Sequence, residues 1–139
     1  MTTQTLHASC VSVGGAGVLL LGAAGRGKSG LALQLMAHGA ALIADDRVIL
    51  TRTGGDVVAT CPPALSGLIE ARGIGILQAV PGGAAPLRLV VDLDQVETTR
   101  LPPKRSCDLL GLSFDLVFGG AAPHFPAAVM QYLKAGRAE

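Results

Sequence analysis

Residues 22–29 read Gly22-Ala23-Ala24-Gly25-Arg26-Gly27-Lys28-Ser29, a complete G-x-x-x-x-G-K-S pattern. Those residue types at that spacing hold the phosphates of a nucleoside triphosphate. The glycines let the backbone curl until its N–H groups converge on the phosphate oxygens, and the helix that follows adds its positive end. Lys28 reaches the β/γ-phosphates and the Ser29 hydroxyl binds Mg²⁺. The bland alternative is an accidental glycine-rich turn, which gives no reason for the Lys-Ser pair. A second pattern overlaps the first: Gly25-Arg26-Gly27-Lys28-Ser29-Gly30 also spells G-x-G-x-x-G, with Asp45 twenty residues beyond Gly25. That is the spacing of a dinucleotide fingerprint. Lys28 would crowd its tight pyrophosphate turn, and no βαβ repeat follows, so the triphosphate reading is preferred.

Asp45-Asp46 closes the hydrophobic run Ala41-Leu42-Ile43-Ala44. Neighbouring strand residues face opposite ways, so both carboxylates cannot enter the core. One acid at this position can meet Mg²⁺, directly or through water. The other can take a proton from an attacking hydroxyl. Without a phosphate loop nearby the pair would read as a solvated turn. Glu70-Ala71-Arg72-Gly73-Ile74-Gly75-Ile76 places an acid and a cation on one face of an extended segment, followed by two glycines that allow close backbone approach. It reads either as a metal or phosphate contact or as an ordinary surface ion pair. By residue type alone, His7 is a satisfied strand histidine and Arg100 a solvated loop arginine. An arginine there could also reach a transferring phosphoryl group.

The elements that must position these residues follow from periodicity and turn signals. Residues 6–13 and 16–21 read as a hairpin around Gly14-Gly15, and the second strand runs into the phosphate loop. A helix follows to about His38, with Gly39 as its stop. Residues 41–44 form a buried strand, and 48–53 with 57–61 form a second hairpin around Gly54-Gly55. Residues 68–77 alternate but are interrupted by polar and glycine positions. Residues 87–93 read as a strand, 98–106 as a polar loop, 109–118 as a last strand or strand pair, and 127–135 as a C-terminal helix. The class is α/β with a strand-rich mixed sheet, because hairpins around a phosphate loop do not suit a purely parallel one.

Bulk composition narrows the function classes. The 139 residues suit one compact domain, residues 1–139, with no linker or repeat. Half are hydrophobic but only four are aromatic, so the core must be aliphatic. A net charge of +1 with no basic run, and few stacking rings, speak against nucleic acid as a partner. Cys10, Cys61 and Cys107 are odd in number and far apart, which predicts free thiols in a reducing cytoplasm. The N-terminus has no basic, then apolar, leader pattern, and the most apolar stretch is too short to span a bilayer. A cytoplasmic protein that does not insert in membranes is expected.

The order His7, phosphate loop, Leu42-Ile43-Ala44-Asp45-Asp46 and Ile69-Glu70-Ala71-Arg72-Gly73-Ile74-Gly75-Ile76 resembles the catalytic domain of the HPr kinase/phosphorylase family. The resemblance runs over residues 7–93 and more weakly to 117. It implies a P-loop domain of the HPr kinase and phosphoenolpyruvate carboxykinase type. It also implies an ATP- and Mg²⁺-dependent kinase for a serine of the HPr-type phosphocarrier of the phosphotransferase system. Many members also run the reverse reaction, in which inorganic phosphate removes the phosphoryl group from phosphoserine to give pyrophosphate, and members often form hexamers.

Carried over by position, Gly22, Ala23, Ala24, Gly25, Arg26, Gly27, Lys28 and Ser29 would hold the triphosphate, with Arg72 beside it. Ser29, Asp45 and Glu70 would face the metal. Asp46 would be the base for the substrate serine, with His7, Lys28 and Arg100 completing the catalytic set. The resemblance thus overrides the structural reading of His7. This chain departs from the family pattern at Gly30, where Glu is common, and at His38-Gly39-Ala40, where Arg-Gly-His is usual. Residues 119–125 stand where the family has a basic segment that helps build the protein-substrate site. A short form lacking the family's N-terminal domain is expected. A nucleotide-sensing module with little turnover, or a kinase of a small hydroxylated metabolite, would use the same residues differently.

Overall fold

The computed structural model describes residues 2–139. In chain order the elements are β1 (Thr3–Leu6), β2 (Ser9–Val13), β3 (Ala16–Leu21), α1 (Lys28–Ala37), β4 (Ala41–Ala44), β5 (Val48–Thr53) and β6 (Asp56–Thr60). A 3-10 turn, Pro63–Leu65, leads into β7 (Leu68–Ala71) and β8 (Gly75–Gln78), then β9 (Ala85–Val96), β10 (Arg105–Leu109), β11 (Leu112–Gly119) and α2 (Phe125–Ala135). Among the described residues, nine strands join one sheet. Its main path is β1-β5-β6-β9-β3-β2-β4, and β11 adds to β9 and carries β10. β7 and β8 form a separate hairpin. Among the strands of the described residues, β3–β9 and β9–β11 pair in parallel and the other pairs are antiparallel, so the sheet is mixed, as the density of hairpins required.

Two aliphatic clusters lie on opposite faces of the sheet. Along β3, Leu19 enters one and Val18 and Leu20 enter the other, the period-2 alternation of a strand buried on both sides. A bulge in β9 changes that alternation. Gly17 pairs with Leu87, but Val18 pairs with Leu89, so Arg88 is extra. The added residue turns Leu87 to the face of Val90, while Leu89 and Val91 face the helices.

Helix α1 has no side-chain cap at its N-terminus and only ten residues. Alone it would be marginal in water. Burial of Leu31, Ala32 and Leu35 against Ile69 of β7 and Val129 and Met130 of α2 holds it. Each fully buried leucine contributes about 1.5–3 kcal/mol. It ends in a Schellman motif: Gly39 N donates to Met36 O at 3.0 Å and Ala40 N to Leu35 O at 3.0 Å, with Gly39 at φ 107°.

Two expectations are corrected. Residues 6–13 do not form one strand. Leu6 pairs with Val48 of β5, whereas Ser9 pairs with Leu20 of β3, and the chain changes neighbours at His7-Ala8. Ser106 lies inside β10, paired with Asp115, rather than in the polar loop. Among the described residues no helix is long and apolar enough to cross a membrane.

Candidate functional site

The loop after β3 is built by backbone geometry. Gly25 and Gly27 take φ 86° and 92°, left-handed values that cost a side-chain-bearing residue about 1–2 kcal/mol. Gly27 caps α1, its carbonyl accepting from Leu31 N at 2.9 Å. Lys28 is almost fully buried, and its Nζ donates to the loop carbonyls of Gly22 (2.5 Å) and Ala23 (3.2 Å). The ammonium is therefore held inside the turn of the loop, where an anion would meet it.

The two adjacent acids have opposite environments. Asp45 is buried. Its Oδ1 accepts from Ser9 Oγ at 2.6 Å and from Ser29 Oγ at 2.8 Å, and its Oδ2 accepts from Glu70 N at 3.0 Å. One carboxylate thus joins β2, the start of α1 and β7. Asp46 is the chain's reversal between β4 and β5. It sits at φ 72°, a conformation that Asp tolerates better than most residues, and this turns its side chain out of the core. There Asp46 Oδ1 lies 2.7 Å from His7 Nε2, and both side chains are more than half exposed. Asp46 O accepts from Ala8 N at 3.2 Å, which ties the β1–β2 crossing to this turn.

These residues share one cleft of about 720 Å³, within the usual range for ligand sites. Ala24, Gly25, Gly27, Lys28 and Ser29 of the loop form one wall. His7, Asp45 and Asp46 form the floor and rim, and Glu70 and Arg72 face them from the β7–β8 hairpin. Arg72 approaches the loop closely enough that a side chain built at Gly25 would come within 3.9 Å of its guanidinium. Gly22, Ala23, Arg26 and Arg100 do not line this cleft. Arg26 turns to the other side of the loop and pairs with Asp94 at 3.3 Å. Arg100 lies on the exposed connection between β9 and β10.

Two contributors are absent from the sequence reading. Ser9 is fully buried beneath Asp45. Asp94, near the end of β9, accepts from Ala23 N at 3.0 Å and pins the start of the phosphate loop, and its own amide donates to Asp92 Oδ1 at 2.9 Å. Nothing local marks Ser9, whose role comes from the β2–β4 pairing. The alternating acids Asp92 and Asp94 at the end of an apolar strand were a readable signal for the second.

The oxygen donors fit a hard cation. Ser29 and Asp45 touch, Glu70 stands on the same cleft, and Mg²⁺ characteristically takes one or two carboxylates and completes its shell with phosphates and water. The glycine turn with its enclosed lysine fits a polyphosphate.

Residues 1–101 match the family model described as the HPr serine kinase C-terminal domain. The chain is similar to the HPr kinase/phosphorylase of Burkholderia lata, at 41% identity over 125 residues that cover 81% of this chain and 39% of the relative. The HPr kinase/phosphorylase of Cupriavidus metallidurans is 39% identical over the same coverage. The chain thus spans about two fifths of the length of these curated relatives. The solved structure of the Hpr(Ser) kinase/phosphatase from Coxiella burnetii superposes with a TM-score of 0.79 at 24% identity, covering 94% of each chain. That likeness establishes the strand-rich α/β fold.

Proposed function

The chain belongs to the HPr serine kinase family, by its match over residues 1–101 to that family's C-terminal domain, and on that premise we propose that it transfers the γ-phosphoryl group of ATP to a serine hydroxyl of an HPr-type phosphocarrier. Reverse phosphorolysis of the phosphoserine, a cytoplasmic location and assembly as a homo-oligomer belong to the same proposal. The observation that supports it is that buried Asp45 and exposed Asp46 line one cleft with Lys28 and Ser29 of the glycine-rich loop.

Lys28 and the loop amides bind and orient the triphosphate. Ser29, Asp45 and Glu70 would hold Mg²⁺, which when bound offsets the negative charge of the phosphates. Asp45 is buried, and hydrogen-bond donors occupy both its oxygens, so it positions Ser29 rather than taking a proton. Asp46 is open to the cleft and would accept the proton of the serine hydroxyl. His7 Nε2 holds Asp46 Oδ1 in place during that step. Arg72 stands where it can balance charge beside the loop. Catalysis by this set is positioning and electrostatics in a preformed site.

The test is incubation of the purified protein with Mg²⁺, labelled ATP and an HPr-type carrier, reading phosphoserine on the carrier by mass. Transfer that Lys28→Ala abolishes is the expected result. Near-full transfer by Lys28→Ala, or none by the unsubstituted protein, counts against the assignment.

A further inference from the structure

The phosphate loop separates two clefts, and only one of them carries the acids and the histidine. The other, of about 380 Å³, opens on the Arg26 side, between the start of α1, the end of β9 and the segment that links β11 to α2. Gly27 and Gly30 line both. A chain of phosphates lying in the loop therefore has one end toward Asp46 and the other toward this second cleft.

We propose that the second cleft seats the base and ribose of the donor nucleotide, while the acidic cleft is kept for the hydroxyl acceptor. This rests on the reading of the loop as a triphosphate site. Both clefts have apolar lining, Leu33, Leu65, Leu68, Ile69 and Ile76 in the acidic one, but the carboxylates and the histidine lie on that side alone. The second has no carboxylate in its lining, and its one charged side chain, Arg26, is paired with Asp94. Its walls are Leu31, Leu93, Phe125 and Pro126, an apolar slot suited to a flat ring system. Gln34 at its edge supplies an amide of the kind that pairs with ribose hydroxyls or base edges. Gly120 has a specific part. A Cβ there would sit 3.4 Å from Cδ1 of Phe125, so its glycine leaves the Phe125 ring uncovered. A nucleobase in the acidic cleft would instead occupy the space in front of Asp46 that the acceptor hydroxyl needs.

Calorimetric titration with Mg-ATP and with Mg-tripolyphosphate, which has phosphates but no nucleoside, separates the two readings. Ala121 lines the cleft on an exposed segment, so Ala121→Trp can fill it without disturbing the core. Gly120→Val covers the Phe125 ring by a second route, at a position whose φ is not left-handed. The expected result is tighter binding of ATP than of tripolyphosphate by the unsubstituted protein. Both variants should then weaken ATP by about tenfold or more and leave tripolyphosphate within about twofold. ATP affinity that ignores both variants, or equal weakening of both compounds, overturns the subsite and leaves the phosphate-loop reading standing. Failure of both compounds to bind the unsubstituted protein removes the phosphate-loop reading and the subsite with it.

Discussion

Ser9→Ala is the sharpest probe of how the site is held. Ser9 is fully buried, and its hydroxyl donates to Asp45 Oδ1 at 2.6 Å. The substitution removes one oxygen, opens almost no cavity and changes no charge, so its effect isolates that bond. A hydrogen bond to a charged group is worth about 1.5–3 kcal/mol. Asp45 keeps the Ser29 hydroxyl and the Glu70 amide, which places the loss near the lower end, about 1.5 kcal/mol. In a single domain of this size that lowers Tm by roughly 4–9 °C. Urea unfolding should show a lower midpoint with an unchanged slope. The Mg²⁺ concentration needed for ATP binding should rise, because the Asp45 carboxylate then holds Ser29 with one restraint fewer. Repeating Ser9→Ala in an Asp45→Asn background should show a coupling of at least about 0.5 kcal/mol. A loss under about 0.5 kcal/mol with no coupling would refute the view that buried Asp45 is the hub of the site.

Asp46→Asn keeps a residue that tolerates the left-handed turn but cannot accept the proton; transfer should fall by about 10²–10⁴ while ATP affinity stays within about twofold, and retention of a tenth of the activity would reassign the base. Burial pushes the Cys10 thiol up to about 12, and desolvation also raises Cys61 and Cys107, which are partly exposed. With iodoacetamide at pH 8, mass mapping should find Cys61 and Cys107 slowly modified and Cys10 untouched until denaturant is added; labelling of native Cys10 would contradict its place in the core. Gly67→Ala should cost roughly 2–4 kcal/mol, since φ is +73° and the new Cβ would lie 2.7 Å from Ala79 O, a backbone atom that cannot swing aside. A change in urea midpoint equivalent to under about 1 kcal/mol would show that the turn relaxes.

Short-range chemistry was legible from the chain alone. The phosphate loop is a contiguous motif whose conformation depends on its own glycines. Gly39 ended α1, and Gly14-Gly15 and Gly54-Gly55 marked their hairpins, because turn geometry is decided within four residues. The mixed sheet followed from strands too closely spaced for crossovers. Asp45 and Asp46 could be recognised as two acids with different surroundings, since adjacent residues at a strand end diverge. Which one is buried could not be read, because that depends on Ser9 arriving from β2 and Glu70 N from β7, far away in sequence. The bulge at Arg88, the break at His7-Ala8 and the pinning of Ala23 by Asp94 have the same origin. Each is decided by pairing between distant strands, where the partner rather than the local pattern determines which way a side chain points. The second cleft is likewise tertiary: its walls come from α1, β9 and the segment before α2, and only the packing of Val129 and Met130 against Leu31 and Leu35 brings them beside the loop.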